Sequence, residues 1–136
     1  MSTETPPAVM PTPATPRWML WTGRILSAFS IFGLGMSAMM KLTNNPQAVE
    51  GLAKFGYDPK TLMGLGIVEL ASTVLYAIPQ TSVLGAILLT GYLGGATATH
   101  VRVSEGFAAP IILGVLVWGG LVLREARLRS ILPWRS

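Results

Sequence analysis

The sequence predicts an all-α integral membrane protein, a four-helix bundle with a disordered N-terminal tail. Hydrophobic residues make up 51% of its 136 residues, and the mean hydropathy is +0.54. Charged residues make up only 12%, against about 25% in an ordinary soluble domain. The apolar residues also come in long unbroken runs, which a single soluble core of this size has no room to bury.

Four apolar runs divide the chain into a tail, a membrane domain and a second tail. Residues 1–17 are rich in proline and threonine and are expected to be disordered. Residues 126–136 are expected to form a basic tail, and residues 47–55 a short surface helix. The membrane domain is predicted over residues 18–125, with transmembrane spans at about 18–40, 61–78, 82–99 and 107–123.

The formal net charge of +4 comes from basic residues that mostly flank the apolar runs. This arrangement is typical of membrane anchoring and orientation and not of nucleic-acid binding. Four spans place both termini on one side, which carries Arg17 and four C-terminal arginines and is therefore expected to be cytoplasmic. An alternative for the first run is a signal peptide with residues 25–36 as its apolar core.

Small residues in the third span predict where the helices pack, because lipid gives helices no hydrophobic reason to associate. These small residues recur at every fourth position and form two neighbouring rows on the helix. Both rows are predicted to make helix contacts: Ala86, Thr90, Gly94 and Ala98 in one, and Gly91 and Gly95 in the other. The third span is therefore the predicted packing centre. Contacts within one bundle are favoured over contacts between copies, although a homo-oligomer remains an alternative.

Two ionisable side chains, Arg24 and Glu69, fall inside apolar runs, where such groups usually face a bundle interior or a cavity. Depths counted from the span ends are similar, which predicts an ion pair between the first two spans, and Tyr92 is placed to share a hydrogen bond with Glu69. Two interpretations stay open. One is a structural bridge that fixes helix register, and the other is a polar site that binds a small molecule or relays a proton.

A second polar group is expected at the opposite membrane face, where the first and third spans end. It comprises Lys41, Asn44, His100 and Arg102, and it suits an anion such as a carboxylate. The alternative is that these long basic side chains simply extend towards the interface. His100 is the only histidine, so no metal site is predicted; haem ligation by His100 and a methionine is a minor alternative.

The sequence contains no cysteine, so it lacks disulfides, thiol nucleophiles and thiolate iron–sulfur sites. It also contains no zinc-protease, serine-hydrolase, phosphate-loop or dinucleotide-binding motif. No cofactor is evident, and a non-catalytic role is favoured over an enzyme.

The block Leu84–Ala96, with Ala98–Arg102 after it, is the most distinctive stretch of the chain. Shorter motifs accompany it: Gly23-Arg24, Lys41-Leu42, Phe55-Gly56-Tyr57, Glu69-Leu70 and Ile78-Pro79. Over roughly residues 21–123 the chain resembles the DoxX-like family of small bacterial four-helix membrane proteins.

The resemblance implies a bundle in the bacterial inner membrane and says little about activity. Distant relatives include a membrane subunit of a thiosulfate:quinone oxidoreductase, so the resemblance implies an accessory subunit with oxidoreductase partners and quinone as a candidate ligand. The positions it implies for a shared site are Arg24, Lys41, Glu69, His100 and Arg102. Two alternatives stay open: an enzyme or carrier that uses Arg24 and Glu69 directly, and a protein that acts only through helix packing.

Overall fold

The computed structural model describes residues 3–7 and 15–131. Helices make up most of this part of the chain, from Arg17 to Ile131. The described residues contain no strand, which confirms the all-α prediction. Much of the predicted disordered tail, residues 1–2 and 8–14, lies outside the described residues, as does the end of the predicted basic tail at 132–136. The helices are α1 (Arg17–Leu42), α2 (Pro46–Lys54), α3 (Pro59–Ala77), α4 (Ser82–Arg102), α5 (Ala108–Arg124) and α6 (Ala126–Ile131).

Local signals in the sequence account for where the middle helices begin and end. The side chains of Asn45 and Asp58 cap α2 and α3 by accepting hydrogen bonds from backbone N–H groups two residues further on, and each is followed by a proline in the first turn. The helix α3 ends before Pro79, where a single 3-10 turn, Pro79–Thr81, leads directly into α4. This tight turn makes α3 and α4 antiparallel neighbours.

The short helix α6 occupies much of the segment expected to be a basic tail. Arg129 explains its position, because its Nη1 donates to the carbonyl oxygens of Val122 and Leu123 at 2.7 and 2.9 Å. These carbonyls are among the last of α5, which have no partner within their own helix. The arginine thus folds the chain back onto the end of α5.

The four long helices pack side by side, with α1 and α4 each in contact with both α3 and α5. The interior mixes an apolar core with buried serines, glycines and one carboxylate, whereas the exterior is made of large apolar side chains, which a soluble bundle does not expose to this extent. The buried positions of α1 include Gly23, Ser27 and Ser30, whereas Phe29 and Phe32 on its outer face are 64% and 70% exposed. Such a surface is stable only where lipid surrounds it.

Three segments are long and apolar enough to cross a membrane: Arg17–Leu42, Pro59–Ala77 and Pro79–Arg102. The fourth long helix, Ala108–Arg124, is apolar but shorter, at 17 residues. Together with the large apolar side chains on the outer faces, these helices make the chain a membrane protein.

The prediction that the small-residue rows of α4 form the packing centre is wrong within the described chain. Of the six predicted positions only Ala86 is buried, and a Cβ atom added to Gly91, Gly94 or Gly95 would meet no neighbour within 4 Å. Thr90 and Ala98 are also exposed. With 3.6 residues per turn, each step of four residues rotates the side-chain direction by about 40° around the helix axis. A row of every fourth residue therefore leaves the inward face after Ala86.

The closest helix contacts lie instead at glycines of the opposite end of the bundle. A Cβ on Gly85 would lie 2.2 Å from the backbone nitrogen of Tyr76, where α4 crosses α3. A Cβ on Gly23 would lie 2.8 Å from the carbonyl oxygen of Gly120, where α1 crosses α5. Only glycine permits these approaches, so they fix the spacing of all four helices at this end.

Replacing Gly85 with alanine should therefore destabilise the protein, while the same change at Gly91 should not. The added methyl group at Gly85 meets backbone atoms and forces α3 and α4 apart, at a cost of about 1–3 kcal/mol. Thermal unfolding of both variants in the same detergent measures the difference. Equal unfolding temperatures for Gly85→Ala and Gly91→Ala would contradict this packing.

Candidate functional site

A buried polar network joins α1, α3 and α4 near the middle of the bundle. The Glu69 side chain is 2% exposed, and its Oε2 accepts a hydrogen bond from Lys41 Nζ at 2.7 Å. The same oxygen accepts a second hydrogen bond from the Tyr92 hydroxyl at 3.1 Å. Lys41 Nζ also donates to Ser37 Oγ at 2.6 Å, one turn earlier in α1. We call Ser37, Lys41, Glu69 and Tyr92 the polar network.

The predicted ion pair between Arg24 and Glu69 is wrong, because Lys41 is the partner of Glu69. The register of α1 against α3 is set by a contact between Ser27 and Tyr76, whose side-chain oxygens lie 2.9 Å apart. Arg24 lies three residues beyond Ser27 in one direction, and Glu69 seven residues beyond Tyr76 in the other, so about 15 Å separates them along the axis. Arg24 is exposed and its guanidinium lies 5.5 Å from the ring centre of Trp21.

The partnership between Lys41 and Glu69 depends on how closely α1 and α3 pack. Lys41 lies in the last turn of α1, and its Cβ is only 3.0 Å from the position that a Cβ on Gly66 would take. The missing side chain at Gly66 lets the lysine lie flat against α3 and extend inwards to the carboxylate. The Lys41 side chain remains 14% exposed, so the pair lies at the boundary between the packed interior and a cavity.

The polar network forms one wall of a cavity of about 440 Å³, which we call the central cavity. All four long helices line it, together with Leu52 of α2 and with Phe55 and Tyr57 from the connection between α2 and α3. Its remaining walls are largely apolar and aromatic, supplied among others by Leu34, Leu52, Phe55, Tyr57, Leu65, His100, Pro110 and Leu113. The cavity therefore combines a few convergent polar groups with apolar walls, the usual composition of a small-molecule site.

The predicted cluster at the membrane face is divided by the structure. Lys41 and His100 both line the central cavity, with the His100 ring 4.7 Å from the ring of Phe55 and its Nδ1 2.7 Å from the carbonyl oxygen of Ala96. Arg102 lies outside the cavity and donates to the carbonyl oxygen of Phe55. Asn44 is exposed in the turn after α1, where its φ is 54°. The four residues thus do not surround one anion.

Two of the glycines predicted to pack helices border the central cavity instead. Gly91 and Gly95 are exposed and also line the cavity, on the edge of α4 that carries Tyr92 and Thr99. Tyr92 contacts α3 through Glu69, and Thr99 contacts Tyr57 at 3.2 Å between their hydroxyl oxygens. Because nothing lies within 4 Å of a Cβ on either glycine, the cavity is open along this edge, between α3 and α4.

The sequence marks Ser37 and Gly66 only as small residues suited to helix packing and assigns neither to the polar site, although both help to place Lys41. Ser37 had a usable signal, since it precedes Lys41 by one helical turn and is a small polar residue within an apolar run. Gly66 gave no such signal, because its role depends on which helix lies opposite.

Chemically, the polar network offers both a hydrogen-bond donor and an acceptor. Lys41 uses two of its three ammonium protons on Ser37 and Glu69, which leaves one for a ligand. Glu69 Oε1 accepts no hydrogen bond from the described residues, whereas Oε2 accepts two. In the described residues no cluster of histidine, cysteine and acidic side chains is suited to hold a metal ion.

Comparison with known proteins gives one match. Residues 25–120 match the model of a family described as the DoxX-like family. The matched region contains the whole polar network and His100, but not Arg24 or Arg124. No curated protein and no solved structure matches the chain significantly.

Loss of either partner of the buried ion pair should destabilise the protein more than loss of both. Glu69→Gln leaves the Lys41 ammonium without its carboxylate, and Lys41→Met leaves the buried carboxylate without its cation, each at about 1–3 kcal/mol. The double variant carries neither charge and should recover part of this loss. Thermal unfolding in detergent measures the stability of all three variants. Glu50→Gln and Lys60→Met, at two exposed residues that form no ion pair with each other, serve as controls. Strictly additive effects of the two buried substitutions would contradict the pairing.

Proposed function

The chain belongs to the DoxX-like family, and from this membership and the geometry above we propose that it is an accessory subunit of a membrane-associated redox complex that holds a quinone in the central cavity. The proposal includes four transmembrane spans, with α5 as the fourth. One observation carries it: a buried lysine–carboxylate–tyrosine network opens onto a cavity with apolar walls.

A quinone has a flat ring with two carbonyl oxygens, and it carries an apolar tail. Its recognition therefore needs hydrogen-bond donors at ring level and apolar walls elsewhere. The remaining Lys41 proton supplies a charge-assisted donor to one carbonyl. The aromatic ring of Phe55 and the leucines Leu65 and Leu113 supply apolar surface for the ring and the beginning of the tail. Glu69 balances the lysine charge, so a neutral ligand meets a neutral pair.

The opening between α3 and α4 supports a ligand that arrives from the lipid. Gly91 and Gly95 border the cavity on a face that is otherwise exposed to the membrane. A lipophilic molecule can keep its tail among lipid chains at this opening while its polar head contacts Lys41. A water-soluble substrate would gain nothing from such an entry.

The exposed small residues of α4 support the accessory role. Thr90, Gly94 and Ala98 are exposed, and small residues allow another helix to approach closely in lipid. We assign this face to an oxidoreductase partner, with a second copy of the chain as the alternative occupant. The whole sequence has no cysteine and one histidine, so the proposal places the electron-transfer centres in the partner.

The proposed location is the bacterial inner membrane, with both termini on the cytoplasmic side. The end of the bundle at which α1 begins and α5 ends carries Arg17, Arg24, Arg124, Arg127 and Arg129. Lysines and one arginine at the other end are partly offset by acidic residues, so the bias favours this orientation.

A second candidate is an enzyme or carrier that uses the polar network directly. It is favoured by Glu69 Oε1, a carboxylate oxygen that accepts no hydrogen bond from the described residues and belongs to a side chain lining the cavity. Arg24 has no part in this alternative, since it lies away from Glu69. Transport or turnover by the isolated protein in liposomes, abolished in Glu69→Gln, distinguishes it from the accessory role.

Decylubiquinone, a short-tailed quinone, should bind the purified protein in lipid nanodiscs at one site. Lys41→Met removes the charged donor and should weaken binding about tenfold, the loss expected from a charge-assisted hydrogen bond of ~1.4 kcal/mol or more. Equilibrium dialysis measures the affinity, and circular dichroism verifies that the variant is folded. Lys60→Met, an exposed lysine outside the cavity, is the matched control. No saturable binding to the wild type, or equal binding by both variants, would contradict the proposal.

A further inference from the structure

The end of the bundle opposite the central cavity carries a second recess, which has no part in quinone binding. It has a volume of about 480 Å³ and is lined by polar side chains that include Thr15, Gln80, Arg124, Glu125 and Arg127. Three chain segments meet there: the residues before α1, the turn between α3 and α4, and the junction of α5 with α6. We call it the terminal recess.

Arg124 enters this recess with its hydrogen-bonding capacity largely unused. Its guanidinium lies over the Tyr76 ring, with Cζ 5.2 Å from the ring centre. Its Nη2 reaches the Tyr76 carbonyl oxygen and Ser82 Oγ only at 3.5 and 3.4 Å, the long limit for hydrogen bonds. Its Nε is buried and has no hydrogen-bond acceptor among the described residues. A guanidinium has five N–H donors, so Arg124 is held in place but incompletely satisfied.

The arginines of this end also lack carboxylate partners. Among residues 15–131 the single ion pair is Lys41–Glu69, in the polar network. Glu125 lines the recess but lies beyond 4.0 Å of any arginine nitrogen there. Counting Arg124 and Arg127 against Glu125, the lining carries one net positive charge (2 − 1 = 1).

Arg129 has a different role, because three of its five N–H donors are engaged in short hydrogen bonds to the protein. Besides the two carbonyl oxygens at the end of α5, it donates to Thr15 Oγ1 at 2.9 Å. This contact holds the segment before α1 against α6 and so builds one wall of the recess. Arg129 is therefore a positioning residue, while Arg124 and Arg127 remain available to a ligand.

We propose that the terminal recess binds the phosphate group of an anionic phospholipid. Paired guanidinium groups are the usual partners of phosphate oxygens in proteins. The recess lies at headgroup level, since Trp18 and Trp21 at the same end are 65% and 60% exposed, as expected of aromatic residues at a membrane interface. Anionic lipids are attracted by basic residues at this depth. The lipid source is favoured over free phosphate because a recess at headgroup level lies beside the phosphate groups of the bilayer.

The test uses the full-length protein in detergent, with dioleoylphosphatidylglycerol and dioleoylphosphatidylcholine added in equal amounts. Native mass spectrometry measures which lipid stays bound. We expect phosphatidylglycerol to be retained preferentially by the wild type, and Arg127→Gln to reduce this retention about fivefold. Arg127 is exposed, so its loss should leave the fold intact. Lys54→Gln removes one charge from the opposite end and should retain the lipid as the wild type does.

Three outcomes would overturn the proposal. The first is equal retention of the two lipids by the wild type. The second is an equal loss of phosphatidylglycerol in Arg127→Gln and Lys54→Gln, which indicates only a general effect of net charge. The third is displacement of the lipid by millimolar inorganic phosphate in an Arg127-dependent manner, which would assign the site to free phosphate.

Arg124→Lys, which keeps the charge but loses the planar donor set, should retain less lipid than the wild type.

Discussion

The burial of one carboxylate, Glu69, in the middle of α3 is the constraint on which the rest of the structure depends. A charge at this depth is tolerated only when it is paired and hydrogen-bonded, so Lys41 and Tyr92 must both reach it. Lys41 reaches it only because α1 runs antiparallel to α3 and packs closely over Gly66. The orientation of three helices therefore follows from satisfying one side chain.

The two ends of the bundle consequently differ. At the end where α1 begins and α5 ends, glycines such as Gly85 and Gly120 bring helix backbones together, and the terminal recess lies among the segments that connect or flank these helices. Towards the other end the helices contact one another through side chains, and the central cavity occupies the space beside the polar network. The helices therefore pack backbone against backbone at one end, and the ligand site lies towards the other end.

The fold was predictable because hydropathy reports burial in lipid directly, and Glu69 and Tyr92 were identified because polar groups stand out in apolar runs. The partner of Glu69 was not predictable, since depths counted from span ends do not give the register of one helix against another; the contact of Ser27 with Tyr76 sets it. The packing role assigned to Gly91 failed for a related reason. Fourfold spacing shows that residues are neighbours on a helix, but not which way that face points.

The central claim is that the polar network serves a ligand and is more than a structural bridge. Native mass spectrometry of the protein, released gently from the bacterial membrane in which it is produced, tests this most directly. We predict additional mass equal to that of a membrane quinone on the wild type, and about tenfold weaker retention of that quinone by a folded Lys41→Met variant. A wild-type protein that carries no quinone, or a Lys41→Met variant that retains it as well as the wild type does, would contradict the claim.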